Sequence, residues 1–84
     1  MANILSFKTD REIAQEIADW IGRQRLNQNS TQAETARRAN IAVSTYKRFE
    51  QTGEISLLRL ISVLRALGRL DLLAELLSTD KAVS

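Results

Sequence analysis

The chain has 84 residues, no cysteine, no histidine and a net charge of +2. That leaves room for one domain and removes disulfides, Cys-His and Ser-His-Asp catalysis, and nearly every zinc site, because carboxylates alone rarely make one. No apolar run approaches the roughly 18 residues of a membrane span, and Met1-Ala2-Asn3-Ile4-Leu5-Ser6-Phe7 has neither a basic lead nor a long apolar stretch, so no signal peptide is expected and the chain reads as cytoplasmic.

Residues 1–9 read as an arm or short extended piece. Its Lys8 leaves three readings open: wrapping DNA, disorder, or exchange between two copies. A first helix is expected over 10–26, with Asp10 as N-cap and Ile13, Ile17, Trp20 and Ile21 on one apolar stripe. Trp20 reads as a core anchor. Arg23 and Arg25 near the helix end suit the negative pole of its dipole. After the polar connection Asn27-Gln28-Asn29-Ser30, Thr31-Gln32-Ala33-Glu34 matches a capping box and starts a second helix over 32–39. Its inward residues, Ala33, Ala36 and Ala39, are small and let another helix come close. Asn40 tolerates the left-handed conformation of a tight terminus. Ile41, Tyr46 and Phe49 carry the apolar pattern into a third helix over 43–51, stopped by Gly53. Ser56 caps a fourth over 57–67, ended by Gly68, and Asp71 caps a fifth over 72–77. The polar residues 78–84 are expected to fray as a flexible tail. The expected fold is all-α, with five helices.

Charge is unevenly spread. Between residues 21 and 53, Arg23, Arg25, Arg37, Arg38, Lys47 and Arg48 face only Glu34 and Glu50. Such an excess fits either a polyanion partner or a solvated basic surface. The two short helices joined by Ala39-Asn40-Ile41-Ala42 favour the first. Helix pairs of this kind cross at about 90–120° and leave the second helix free to project. Its outward set, Val43, Ser44, Thr45, Lys47 and Arg48, is short side chains followed by two cations, the types that reach base edges and phosphates in a major groove. Glu50 reads as a structural hydrogen bond or ion pair. Arg37 and Arg38 point different ways, one towards phosphate and one towards solvent.

Gln32-Ala33-Glu34-Thr35-Ala36, then Asn40-Ile41-Ala42-Val43-Ser44-Thr45-Tyr46-Lys47-Arg48-Phe49-Glu50, then Gly53, resembles the XRE or Cro/lambda-repressor-like helix-turn-helix family. The resemblance covers roughly residues 10–77. Thr35 stands where that family usually has Leu, Asn40 replaces its turn Gly, and Ala42 forgoes a hydroxyl cap worth about 1 kcal/mol. The resemblance implies a lambda-repressor-like domain that binds double-stranded DNA and needs no cofactor or metal. It implies that Gln32 contacts DNA from the start of the second helix, that Val43, Ser44, Thr45 and Lys47 face the groove, and that Arg48 reads a guanine or holds a phosphate. Thr52 and Glu54 would lie along the backbone, and Arg38 joins the candidate set. Gly53-Glu54-Ile55-Ser56 and Ala66-Leu67-Gly68-Arg69-Leu70, followed by a leucine-rich helix, resemble antitoxins encoded beside HipA-type kinase toxins, which implies an autoregulator with a toxin partner.

The leucines of the last two helices exceed what so small a domain can bury. Leu67, Leu70, Leu72, Leu73, Leu76 and Leu77 are expected to form a homodimer interface, with toxin contact and ordinary core as the other readings. The expected function is a dimeric transcriptional repressor on a pseudo-palindromic operator. The alternative is a helical protein–protein adaptor that does not bind DNA. An enzyme is not expected, since no spacing pairs a nucleophile with a base.

Overall fold

The computed structural model describes residues 3–78. Met1, Ala2 and the expected tail beyond Ser78 lie outside the described residues. The chain opens with one 3-10 turn, Ile4–Phe7, started by the Asn3 side-chain oxygen, which accepts from the Leu5 amide at 2.8 Å. Five α-helices follow: α1 (Asp10–Asn27), α2 (Gln32–Arg38), α3 (Val43–Thr52), α4 (Leu57–Ala66) and α5 (Asp71–Ser78). The described part of the arm is thus coiled at residues 4–7 rather than extended. An ion pair from Lys8 to Glu16 lays it along α1.

Two expected caps are corrected. Thr9, not Asp10, caps α1: its hydroxyl accepts from the Glu12 amide at 3.1 Å and the Glu12 carboxylate accepts from the Thr9 amide at 2.8 Å. The box needs a hydroxyl and an acid three residues apart, and Thr9 and Glu12 supply both. Asp10 becomes the first helical residue, where its charge still favours the positive pole. Asp71 likewise begins α5 instead of capping it. The Leu70 carbonyl accepts from the Leu73 and Ala74 amides, both at 3.0 Å. The Asp71 carboxylate is drawn back to Arg69, with N–O distances of 3.1 and 3.3 Å.

Three helices end in the same way. Asn29, Asn40 and Gly68 take left-handed φ values of 55°, 58° and 70°. In each case the next amide reaches back to a carbonyl in the last turn: Ser30 to Arg25 at 3.1 Å, Ile41 to Ala36 at 3.0 Å and Arg69 to Leu64 at 2.8 Å. This is the Schellman arrangement, which satisfies carbonyls that the ending helix would otherwise orphan.

Ala18 and Ile21 of α1, Ala36 and Ala39 of the α2 end, Tyr46 and Phe49 of α3, and Val63, Leu64 and Leu67 of α4 and its cap form one core. Ala36 and Ala39 let α2 lie close to α3, whereas Ala33, also expected to point inward, is exposed. Tyr46 and Phe49 fill the space, with ring centroids 6.1 Å apart, edge to face. Thr35 is fully buried, and its hydroxyl meets Ser30 Oγ at 3.0 Å, so the polar residue standing where a leucine is usual is satisfied. Trp20 packs half-buried on this core with the Arg69 guanidinium 5.0 Å above its ring. Leu67 is 4% exposed and belongs to the core, which removes it from the expected interface set. An apolar pattern that runs nearly all round α4 does not tell inward from outward leucines; packing does. Among the described residues no helix is long and apolar enough to cross a membrane.

Candidate nucleic-acid interface

The α2–turn–α3 unit is fixed at both ends of α2. At the start, Thr31 Oγ1 accepts from the Glu34 amide at 3.0 Å and Glu34 Oε1 accepts from the Thr31 amide at 2.8 Å. These bonds from Thr31 hold the Glu34 carboxyl below its usual range. At the other end, Asn40 turns the chain into Ile41 and α3 begins from Ala42, which makes no side-chain cap.

The helical period then gives α3 two faces. Tyr46 and Phe49 point into the core. Val43, Ser44, Lys47 and Arg48 are exposed and Thr45 is half-buried, so these five side chains occupy one outer surface. Gln32, the first residue of α2, borders the same surface and shares a cleft with Lys47, Glu50 and Gln51. Arg38 turns towards the α1–α2 connection, where its Nη2 donates to Ser30 Oγ at 2.6 Å. Its neighbour Arg37 shares a hollow with Val43 across the turn, a placement that adjacency in sequence does not reveal. Thr52 caps its own helix end: its hydroxyl donates to the Arg48 carbonyl at 2.8 Å and accepts from the Glu54 amide at 3.1 Å.

Behind this surface lies a polar network. The Glu50 carboxylate accepts from Arg25 Nε at 2.7 Å, Arg25 Nη2 at 3.1 Å, Gln32 Nε2 at 3.0 Å and the Tyr46 hydroxyl. Arg25 also donates Nη1 to the Ser30 carbonyl at 2.8 Å. Burial by itself would raise the Glu50 carboxyl, but the bonds from Arg25, Tyr46 and Gln32 outweigh it and hold the group below its usual range. Hydrogen bonding to Glu50 raises Arg25, and burial followed by Glu50 pushes the Tyr46 phenol well up. Glu50 is therefore a structural acid, and Arg25 is its partner and not merely a cation at a helix end. Gln15 Nε2 adds a bond to the Glu50 carbonyl at 3.0 Å and ties α1 to the last turn of α3. The network holds Gln32 and α3 in one register. Among the described residues no group of acidic side chains is placed to hold a metal ion.

What this arrangement can do chemically is recognise, since it offers donors, cations and the methyl groups of Val43 and Thr45 on a helix whose other face is packed into the core. A family model described as helix-turn-helix matches residues 21–77. Neither the comparison with curated proteins nor that with solved structures gave a match. The matched span holds the last turns of α1 and all of α2 to α4, with most of α5, so the whole α2–turn–α3 unit falls inside it. The chain belongs to the XRE-type helix-turn-helix family of DNA-binding transcription regulators.

Proposed function

We propose that this chain is a homodimeric repressor that lays α3 in the major groove of each half of a pseudo-palindromic operator. The observation that carries the proposal is the outer face of α3, where Val43, Ser44, Lys47 and Arg48 stand exposed on a helix whose other face is locked into the core. Val43 and Ser44, near the helix start, read base edges, with Thr45 at the margin. Lys47 and Arg48 supply charge to guanine or phosphate. Gln32, held by Glu50, and Arg37, beside Val43, flank the groove along the phosphates, while Arg38 and Thr52 support the two ends of the unit. The basic stretch from α2 to α3 makes binding steeply salt-dependent. The same proposal places it with the DNA it binds, in the cytoplasm.

Lys47→Ala is expected to weaken binding about tenfold and to lower the slope of log affinity against log salt by about 1. The check is a titration, at two salt concentrations, of the duplex that the wild-type protein enriches from a randomised library. Unchanged affinity in both Lys47→Ala and Arg48→Ala would remove α3 from the groove. Absence of any binding at low salt would favour the protein–protein adaptor.

The dimer is proposed through α5. Leu70, Leu72 and Leu73 are half-buried with one side packed against the core, and Leu76 and Leu77 are 68% and 75% exposed on the last turns of α5. Two copies joined there would present half-sites one turn of DNA apart, roughly 34 Å. The double variant Leu76→Glu, Leu77→Glu is expected to sediment as a monomer and to bind one half-site only. A wild-type protein that sediments as a monomer at tens of micromolar would leave the same leucines to a toxin partner, as the antitoxin resemblance implies.

A further inference from the structure

We infer that Glu54 is a positioning residue for Arg48, aiming its guanidinium from the end of α3 and thereby sharpening the choice of DNA sequence. The inference rests on the proposal that α3 is the recognition helix. Glu54 lies in the short loop between α3 and α4, and that loop is held on three sides. The Glu54 amide donates to Thr52 Oγ1 at 3.1 Å, and the same hydroxyl donates to the Arg48 carbonyl at 2.8 Å. Gly53, at φ 80°, is pressed against the Ala14 backbone of α1. The carboxylate is thereby presented from a fixed point. Its Oε1 accepts from Arg48 Nη2 at 2.5 Å, and its Oε2 lies 3.8 Å from Arg11 Nη1 on the first turn of α1.

Three features make this a rest that points the arginine, and not a mask that hides it. Arg48 stays 69% exposed while paired, so the cation is not withdrawn from the surface. Only one guanidinium nitrogen is bonded to Glu54, which leaves N–H donors on the other two for a base edge or a phosphate. Arg11 shares the carboxylate, so the three groups together remain positive towards a polyanion. A free arginine loses rotamer freedom when it docks, and one already oriented loses less. That gain exists only where DNA offers a partner in the direction Arg48 points. Matched sequence profits more than random sequence, whose attraction is mostly non-directional charge. The signal was present in the sequence, an acid six residues after an arginine across a helix-ending glycine, but only the loop geometry joins them.

The test measures affinity for the library-selected duplex and for a scrambled duplex of the same composition. Glu54→Ala is expected to lower the ratio of the two about fivefold, mostly at the base pairs whose preference Arg48→Ala also erases. In an Arg48→Ala background the same substitution is expected to leave the ratio unchanged. Glu54→Gln keeps an oxygen acceptor without the charge and is expected to restore most of the ratio. Three results would overturn the inference: equal strengthening of both duplexes by Glu54→Ala, which marks simple charge removal; an undiminished effect without Arg48; or Glu54→Gln behaving as Glu54→Ala. Failure of the recognition-helix proposal is separable, because Arg48→Ala and Lys47→Ala would then both bind the selected duplex as wild type does.

Discussion

Glu50→Ala is expected to cost about 3 kcal/mol of folding stability, the loss typical of stranding one member of a buried ion pair. Arg25 is the stranded member. Its side chain is 10% exposed and Glu50's is 14%, so little water can replace the lost carboxylate. The Tyr46 hydroxyl and the Gln32 amide lose an acceptor at the same moment. For a domain of this size the loss lowers the melting temperature by on the order of 15 °C. The check is a thermal or urea melt of Glu50→Ala, Arg25→Met and the double variant. The double variant is expected to lose less than the two singles together, because replacing both charges removes the stranded one. Strict additivity would mean that the two groups do not act as a pair. The same carboxylate sets an acid limit. Its folded-state pKa lies below the ordinary glutamate value, so its contribution is complete above that ordinary value and is lost as pH falls through the lowered one. The fall in stability on acidification is expected to flatten in Glu50→Gln.

Gly53→Ala is expected to be about as damaging, at about 3 kcal/mol, while Gly68→Ala costs about 1 kcal/mol. Both glycines hold left-handed backbone, with φ of 80° and 70°, so both substitutions carry the conformational penalty of a side chain there. Only Gly53 adds a clash. A Cβ at Gly53 would lie 2.8 Å from the Ala14 carbonyl carbon and 2.9 Å from the Gln15 nitrogen, whereas at Gly68 nothing stands within 4 Å. Backbone of a helix cannot yield as a flexible side chain can, so α3 must move away from α1. That movement also strains the bond from Gln15 to the Glu50 carbonyl. Urea midpoints at constant slope measure the difference. Equal losses at the two glycines would show that the α1–α3 contact tolerates displacement.

The sequence was most legible where partners are close along the chain. Thr31 and Glu34 are three residues apart and form the expected box, and the alternation of Tyr46 and Phe49 with Val43, Ser44 and Lys47 follows from the helical period alone. Thr9 is hard to tell from Asp10 beside it, an equally good capping type, and only the reach to Glu12 separates them. Arg25 looks like a dipole partner in the sequence because its acid lies 25 residues away, beyond any local rule. Asn29 does not stand out from its run of polar residues, although it makes the same left-handed turn as Asn40. Leu67 shows the limit of periodicity: in a helix apolar on most sides, which leucine is buried depends on what packs against it.

The two faces of α3 share no duties. Tyr46, Phe49 and Glu50 hold the helix in place, and each meets partners from α1 or α2 or lies in the common core; Val43, Ser44 and Lys47 face outward and hold nothing. Substitutions at such exposed positions usually change stability by no more than about 0.5 kcal/mol. With α3 in the recognition role proposed above, a lineage carrying this scaffold can drift from one operator to another through changes at three positions, without passing through a chain that fails to fold. Duplicated copies can diverge into regulators that ignore each other's promoters while remaining interchangeable as folded bodies.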